Sequence, residues 1–381
     1  MKQHFRRFLD AAPGRLHFAA HSHHLWPDVS FDAQQLAWLD AARLADAKWD
    51  HVFASVWPSA QRHIARELRL PDPSTVVFAP NTHEFVVRLL SCLPEGARVV
   101  TSDSEFHSFE RQTRRLEEDR LIQVERVAAE PFETFPDRLI AAASREHTHL
   151  VFVSHVFFNS GAVVPDLARL VDALPADALV VIDGYHGFMA VPTDLSSIAG
   201  RAFYLAGSYK YAMSGEGACF LHVPPGVDAR PRNTGWFAAF GALDDKVAGR
   251  VPFAPGGMLF MGATFDPTAL YRFDAVMRWR DSVGLTTEKT RAHAHGLQHR
   301  FVEALARAPD APVAAAHLVV PLEQPLRGQF LAFRTPDARE ISAHLAKSYV
   351  ITDARDDRLR FGFGVYQDEG DVDAMLERMR G

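Results

Sequence analysis

The 381-residue chain is short of three things, and each shortage narrows what it can be. It has two cysteines, Cys92 and Cys219, both inside apolar runs (LLSCL and GACFLHV). A disulfide framework is therefore excluded, and a reducing compartment such as the cytoplasm is expected. No stretch approaches the roughly 18–20 apolar residues a membrane helix needs. The opening MKQHFRRFLDAAPG has basic residues but not the apolar segment of a secretory leader. Positive charge is also scarce: the formal net charge is −6, which argues against nucleic-acid or anionic-membrane partners. The arginines of RQTRRLEEDR are balanced by acids and read as a solvated helix face.

What remains is an ordinary globular composition, 48% hydrophobic and 23% charged. The length exceeds the roughly 250–300 residues one core sustains, so two domains are expected. Residues 30–70 are helical by period through Leu36, Leu39, Leu44, Trp49, Val56, Ile64 and Leu68, and Pro71 and Pro73 close that region. Strands are predicted at 97–102, 121–127, 149–155 and 178–183, with further short ones at 202–207 and 217–223. EFHSFERQTRRLEE and FPDRLIAAASRE are the helices between the first three. Apolar strands alternating with amphipathic helices indicate an α/β fold with a mainly parallel sheet.

A Gly/Pro-rich tract from Pro224 to Gly262 is a long irregular connection, of the kind that is usually functional or interface-forming. Two long helices follow, at about 267–283 and 285–308. The tail reads as a small α+β unit: strands at HLVVPL, GQFLAFR and RLRFGFG, a helix from Asp337 and a last helix from Glu369. The expected organisation is an N-terminal segment 1–30, a large α/β domain 31–265, and C-terminal helices with a small α+β domain, 266–381. There is no internal repeat and no low-complexity segment.

Two segments carry chemistry: VVIDGYHGF (180–188) and LAGSYKYAMSGEGACF (205–220). Asp183 falls at the C-terminal end of a buried strand, where open α/β sheets place ligand-binding groups. Alone, such an aspartate also serves as a cap or turn residue. Lys210 stands between aromatics in a short Gly/Ser-containing loop after a strand. Partial desolvation there lowers a lysine's pKa and leaves a nucleophilic amine. Alone, SYKY also fits a surface tether. Taken together, the two are what pyridoxal phosphate requires: a carboxylate for the pyridine nitrogen and a lysine for a Schiff base.

With these segments the chain resembles the class V aminotransferase branch of fold-type I pyridoxal phosphate enzymes, and most of all the kynureninases. SYKYAMSGEG is similar to their cofactor-lysine segment, and Asp183 and His186 match their Asp-x-x-His. The resemblance implies a large domain with a mainly parallel seven-stranded sheet plus a small C-terminal α+β domain. It makes Lys210, Asp183 and His186 the catalytic group. Thr82 and His83, in APNTHEF, take the cofactor-phosphate positions, where a helix N-terminus favours an anion.

Phe106, with His107 second, matches the aromatic over the ring; Ser154 matches the residue near the ring hydroxyl. Tyr209 and His186 are expected at the phosphate and the ring edge. Trp236 (TGWF) and Thr264 (FMGATFDP) match segments that reach the cofactor from the neighbouring subunit, which implies a homodimer with shared active sites. Arg360, in DRLRFGFGV, matches the arginine for the substrate carboxylate, a task suited to a planar guanidinium.

The N-terminal HSHHLWP (21–27) aligns with the family's Asn-Ser-Leu-Gly-Leu-x-Pro motif and keeps Ser22, Leu25 and Pro27. His21, Ser22 and His23, with His24, are thereby expected at the substrate-facing wall, although exposed imidazoles fit the pattern too. A metal site is not expected, because His23 and His24 are adjacent and helical sites favour i, i+4 pairs.

The resemblance implies an enzyme that transforms an amino-acid substrate through an external aldimine, with an aminotransferase-type activity first. The alternative is a kynureninase-type hydrolase cleaving a Cβ–Cγ bond. Tyr185 in place of a small residue, HSHH in place of Asn-Ser-Leu-Gly, and Phe157–Phe158 in place of polar or tyrosyl residues alter the pocket. A metallohydrolase built from His21, His23, His155, Asp183 and His186 would leave Lys210 unexplained. Cysteine desulfurase chemistry is disfavoured by the placement of both cysteines.

Overall fold

The computed structural model describes residues 1–242, 249–323 and 327–380. Residues 243–248 of the irregular tract, and 324–326 and 381 of the expected C-terminal domain, lie outside the described residues.

Seven strands form the large sheet: β1 (Val76–Ala79), β2 (Ala97–Ser102), β3 (Ile122–Val127), β4 (Leu150–Ser154), β5 (Leu179–Asp183), β6 (Ala202–Gly207) and β7 (Cys219–His222). Their order is β1-β7-β6-β5-β4-β2-β3. Only β7 runs antiparallel to its neighbours β1 and β6. Every residue of β1, β4, β6 and β7 is buried, as continuous apolar runs require in a sheet covered on both faces. The run pattern identifies six of the seven strands. The remaining one, VVFA, has four residues between Pro73 and Asn81 and is too short to show a period.

The helical region 30–70 is interrupted. Helix α1 (Val29–Leu44) stops at Ala45, where φ is 48°. A π-helical stretch, Val52–Val56, leads into α2 (Trp57–Leu68), which ends on the left-handed Arg69. The buried stripe of α1 is Ala33, Ala37 and Asp40 rather than the leucines; Leu36, Trp38 and Leu39 are exposed. Small residues let α1 lie close against helix Thr268–Ser282, so packing overrides the leucine period.

Helices α3 (Thr82–Ser91), α4 (His107–Glu118), α5 (Phe135–Ser144) and α6 (Leu167–Ala173) cover the sheet. After α7 (Thr268–Ser282) and α8 (Thr287–Leu305) come β8 (Phe330–Arg334), α9 (Ala338–Lys347), β9 (Asp353–Arg355), β10 (Arg358–Gly362) and α10 (Glu369–Arg380). Strands β9, β10 and β8 form an antiparallel sheet in that order. HLVVPL is not a strand. His317 closes a 3₁₀ turn, Leu318 makes one isolated bridge to Phe333, and Pro321 lacks the N–H a ladder needs.

A second core gathers Phe18, Leu297, Phe301, Phe333, Phe361 and Met375, separate from the core of the large sheet. The N-terminal segment belongs to both. Phe5, Ala20 and Leu25 pack in the larger core, whereas Leu16–His17 pairs in parallel with Val350–Ile351. Among the described residues no helix is long and apolar enough to cross a membrane.

Candidate active site

The site forms where β4, β5 and β6 end side by side, with Ser154 registered against Asp183 and Asp183 against Leu205. Beyond Gly207 the chain turns sharply through Met213 (φ 58°), Gly215 (φ 75°) and Gly217 (φ 102°). A Cβ on Gly215 would lie 2.4 Å from the Trp26 ring, so glycine is required there by space as well as by φ. The Ser208 hydroxyl donates to the Gly215 carbonyl at 2.5 Å, and Arg272 Nε donates to Ser214 O at 3.0 Å. The loop so pinned buries Lys210, whose Nζ lies 2.6 Å from His186 Nε2.

Burial lowers the pKa of Lys210, an effect the Asp183 carboxylate opposes. Burial raises Asp183, opposed by the Tyr185 N–H, which donates to its Oδ1 at 2.9 Å, and by Lys210. His186 is held well below its ordinary value by burial and then by Lys210. A neutral imidazole with its proton on Nδ1 can accept the lysine N–H at Nε2, and among the described residues His186 Nδ1 has no hydrogen-bond partner. These are opposed shifts on groups that share one wall, the arrangement acid–base chemistry uses.

A cavity of 390 Å³ opens above these groups, within the range of pockets that enclose small ligands. Eight of the residues singled out by the sequence line it: Thr82, His83, Phe106, Ser154, Asp183, His186, Tyr209 and Lys210. Asn81 caps α3, its Oδ1 accepting from Glu84 N at 3.0 Å, so the first turn of a ten-residue helix faces the cavity. Phe106 sits at the N-cap of α4, its ring centroid 5.5 Å from Lys210 Nζ. His107 packs edge-on to Phe158 at 5.1 Å.

Arg360 approaches from β10 and is buried. Its Nη1 donates to the Phe158 carbonyl and its Nη2 to Asp353, while Nε has no partner. His21 is fully buried, stacked on Phe330 at 4.6 Å with its Nε2 3.7 Å from Asp353, and both ring nitrogens lack a hydrogen bond. Burial and then Arg360 keep it neutral, well below its ordinary pKa.

His23 is exposed and stacks on Tyr209 at 4.9 Å; Ser22 Oγ lies 3.3 Å from His23 Nδ1. His24 is buried away from the cavity, its Nδ1 2.6 Å from Leu25 O and its ring edge-on to Tyr366. Trp236 and Thr264 stand outside the cavity on the exposed surface, where Trp236 Nε1 donates to Thr264 Oγ1 at 3.2 Å. Among the described residues, no three His, Cys, Asp or Glu side chains meet in an arrangement that would hold a metal.

Glu105 escaped the sequence reading. It is buried beside the cavity, its Oε1 accepting from Ser102 Oγ at 2.6 Å and from Ser154 N at 3.1 Å, and its Oε2 from Ser154 Oγ at 2.6 Å. Burial pushes its carboxyl up to about 7, with Asp183 adding to the rise. An acid just before a helix usually complements the dipole, and nothing in DSEF marks this one as buried.

Comparison with known proteins fits this geometry. Residues 47–324 match the profile described as "Aminotransferase class-V", and residues 290–379 match "Kynureninase C-terminal domain". The chain is 26% identical over 353 residues to the kynureninase of Deinococcus radiodurans, a match covering 87% of this chain and 82% of that protein. It is 28% identical over 205 residues to the isopenicillin N epimerase of Streptomyces clavuligerus, covering 51% of this chain and only 50% of the epimerase.

Two solved structures share the fold. Apo cysteine desulfurase from Thermococcus onnurineus NA1 superposes with a TM-score of 0.81 at 16% identity, covering 99% of this chain and 97% of its own. The cystine C–S lyase C-DES gives 0.80 at 16% identity, covering 98% and 99%.

Proposed function

Because the chain belongs to the class-V aminotransferase family, it is a pyridoxal-phosphate-dependent enzyme that transforms an amino acid, and we propose that the 390 Å³ cavity is its active site. The observation that carries this is the convergence of Lys210 and Asp183, with opposed pKa shifts, on one cavity wall. The donor set suits the cofactor: an amine for its aldehyde, a carboxylate for its ring nitrogen, and a helix N-terminus for its phosphate. When bound, pyridoxal phosphate supplies an electron-poor ring that stabilises negative charge at the substrate's α-carbon.

In this reading Lys210 would hold the cofactor through its amine, and that amine, lowered in pKa by burial, is suited to take a proton from the substrate's α-carbon. Asp183 keeps the ring nitrogen protonated. His186 holds the lysine amine at 2.6 Å and, with Tyr209, borders the ring edge and phosphate. Thr82, His83 and the first turn of α3 would hold the phosphate, Phe106 would cover one face of the ring, and Ser154 would lie near the ring hydroxyl. Arg360 receives the substrate carboxylate, with His21, Ser22 and His23 forming the wall beside it. Exposed Trp236 and Thr264 support a homodimer in which each subunit completes the other's site. The free thiols of Cys92 and Cys219 support a cytoplasmic location.

We place aminotransferase-type chemistry first. A kynureninase-type hydrolysis of a Cβ–Cγ bond is the second reading, supported by the match of residues 290–379 and by the Deinococcus relative. Purified protein should show visible cofactor absorbance that Lys210→Ala abolishes, together with a loss of turnover of about a hundredfold or more. Amino acids are then screened with and without a keto-acid acceptor. Turnover that needs the acceptor supports transamination, and alanine released without one supports the hydrolase. Protein that never takes up the cofactor would overturn both.

A further inference from the structure

We propose that Tyr185 is the second aromatic wall of the cofactor slot, covering the face of the pyridine ring opposite Phe106; this rests on the cavity being the cofactor site. Tyr185 lies two residues beyond Asp183, and its N–H donates to the Asp183 carboxylate at 2.9 Å. Its ring centroid is 4.6 Å from Lys210 Nζ. The side chain thus runs alongside the path between the two groups a planar cofactor must touch at once. Phe106 brings a second ring to 5.5 Å from the same nitrogen, from a different element, and both rings line the same cavity.

Tyr185 is also fixed in place. Its hydroxyl packs where a side chain on Gly207 would begin, since a Cβ there would lie 2.1 Å from Oη. That hydroxyl is 3.5 Å from Cys219 Sγ, and the ring leans on Tyr209 with centroids 4.9 Å apart. Glycine at 207, the last residue of β6, is therefore what admits the phenol. Burial keeps the phenol neutral, so the face it presents is an electron-rich π surface. A protonated pyridinium is the electron-poor partner such a surface attracts.

The test titrates cofactor-free wild type, Y185F and Y185L with pyridoxal phosphate, following the visible band and the quenching of tryptophan fluorescence. Y185F keeps the ring and is expected to bind within about twofold of wild type. Y185L keeps bulk without a π face and is expected to bind roughly three- to tenfold more weakly, with a displaced absorbance maximum. Y185M, flexible enough to fill the same volume, stands in if Y185L does not fold, with the same expectation.

An aromatic-free variant that binds like wild type with an unmoved band overturns the assignment. So does a Y185F protein as weak as Y185L, because the hydroxyl on Cys219 would then carry the effect. Those outcomes leave the cofactor reading intact. A wild type that takes up no cofactor overturns the cofactor reading, and the Tyr185 assignment with it.

Discussion

Two parts of the proposed site are built differently. At the strand ends, Lys210 and Asp183 line the cavity, burial pushing each toward its neutral form and each opposing the other's shift, and the segments that place them are 183–186 and 207–217, both attached to adjacent strands. Behind the cavity lining, Arg360 is engaged by Asp353 and by the carbonyl of Phe158, which does line the cavity, with His21 beside the pair. The first part is the cofactor seat of the proposed function. The second is an ion pair already satisfied within the protein, which a substrate carboxylate would have to enter if Arg360 receives it as proposed. Cofactor retention should therefore depend on the residues that line the cavity and not on Arg360, while substrate affinity depends on how easily the Arg360–Asp353 pair yields.

The sharpest way to break this contrast is Asp183→Asn. It should lower kcat about a hundredfold while protein carrying the cofactor still binds substrate analogues normally, measured by turnover and by titration. Next is Arg360→Ala, which should raise KM roughly tenfold or more with far less effect on kcat, and should leave cofactor affinity unchanged. If cofactor affinity falls in step with KM, the two parts are not separable.

Asp353→Asn should act in the opposite direction. Released from its counter-charge, Arg360 binds the carboxylate better and KM drops a few-fold, while the fold loses about 3 kcal/mol because a buried cation is left unpaired. A rise in KM would show instead that Asp353 orients the guanidinium.

The smallest effect concerns Glu105. Its carboxyl is raised from an ordinary 4.5 to about 7, so the native state keeps a proton the unfolded chain has released between those values. The resulting stability is fully present below about pH 4.5 and is lost as pH rises through 7. Urea unfolding of wild type against Glu105→Gln should therefore show the wild type losing up to roughly 3 kcal/mol relative to the variant between pH 5 and 8. A pH-independent difference would exclude the shift.

The same contrast explains what the sequence reveals. The strand-end half was legible because buried strands are written as unbroken apolar runs, and Lys210 and Asp183 follow two of them directly. Thr82, His83, Phe106, Ser154, His186 and Tyr209, which meet Lys210 and Asp183 in one cavity, were legible through the family resemblance. The other half draws on residues 21, 158, 353 and 360, which only tertiary packing brings together. Nothing in ITDARDD distinguishes Asp353 from a solvated acid, just as nothing in DSEF distinguishes Glu105. The histidine cluster divides for the same reason. Adjacent imidazoles take different directions, so His21 faces the ion pair, His23 the surface and His24 the core. Leu36 and Leu39 carry the helical period of α1 but are exposed, and alanines occupy its buried face.

The parallel pairing of Leu16 with Val350 and of His17 with Ile351 continues in a bridge from Ala19 to Gly362. Through the residues that precede it, the His21 imidazole is thus registered to the segments next to Asp353 and Arg360. Whatever shifts those segments carries imidazole, carboxylate and guanidinium together as a single toothed edge. A displacement of the ladder would therefore move all three groups at once, whereas a single substitution alters one of them in place.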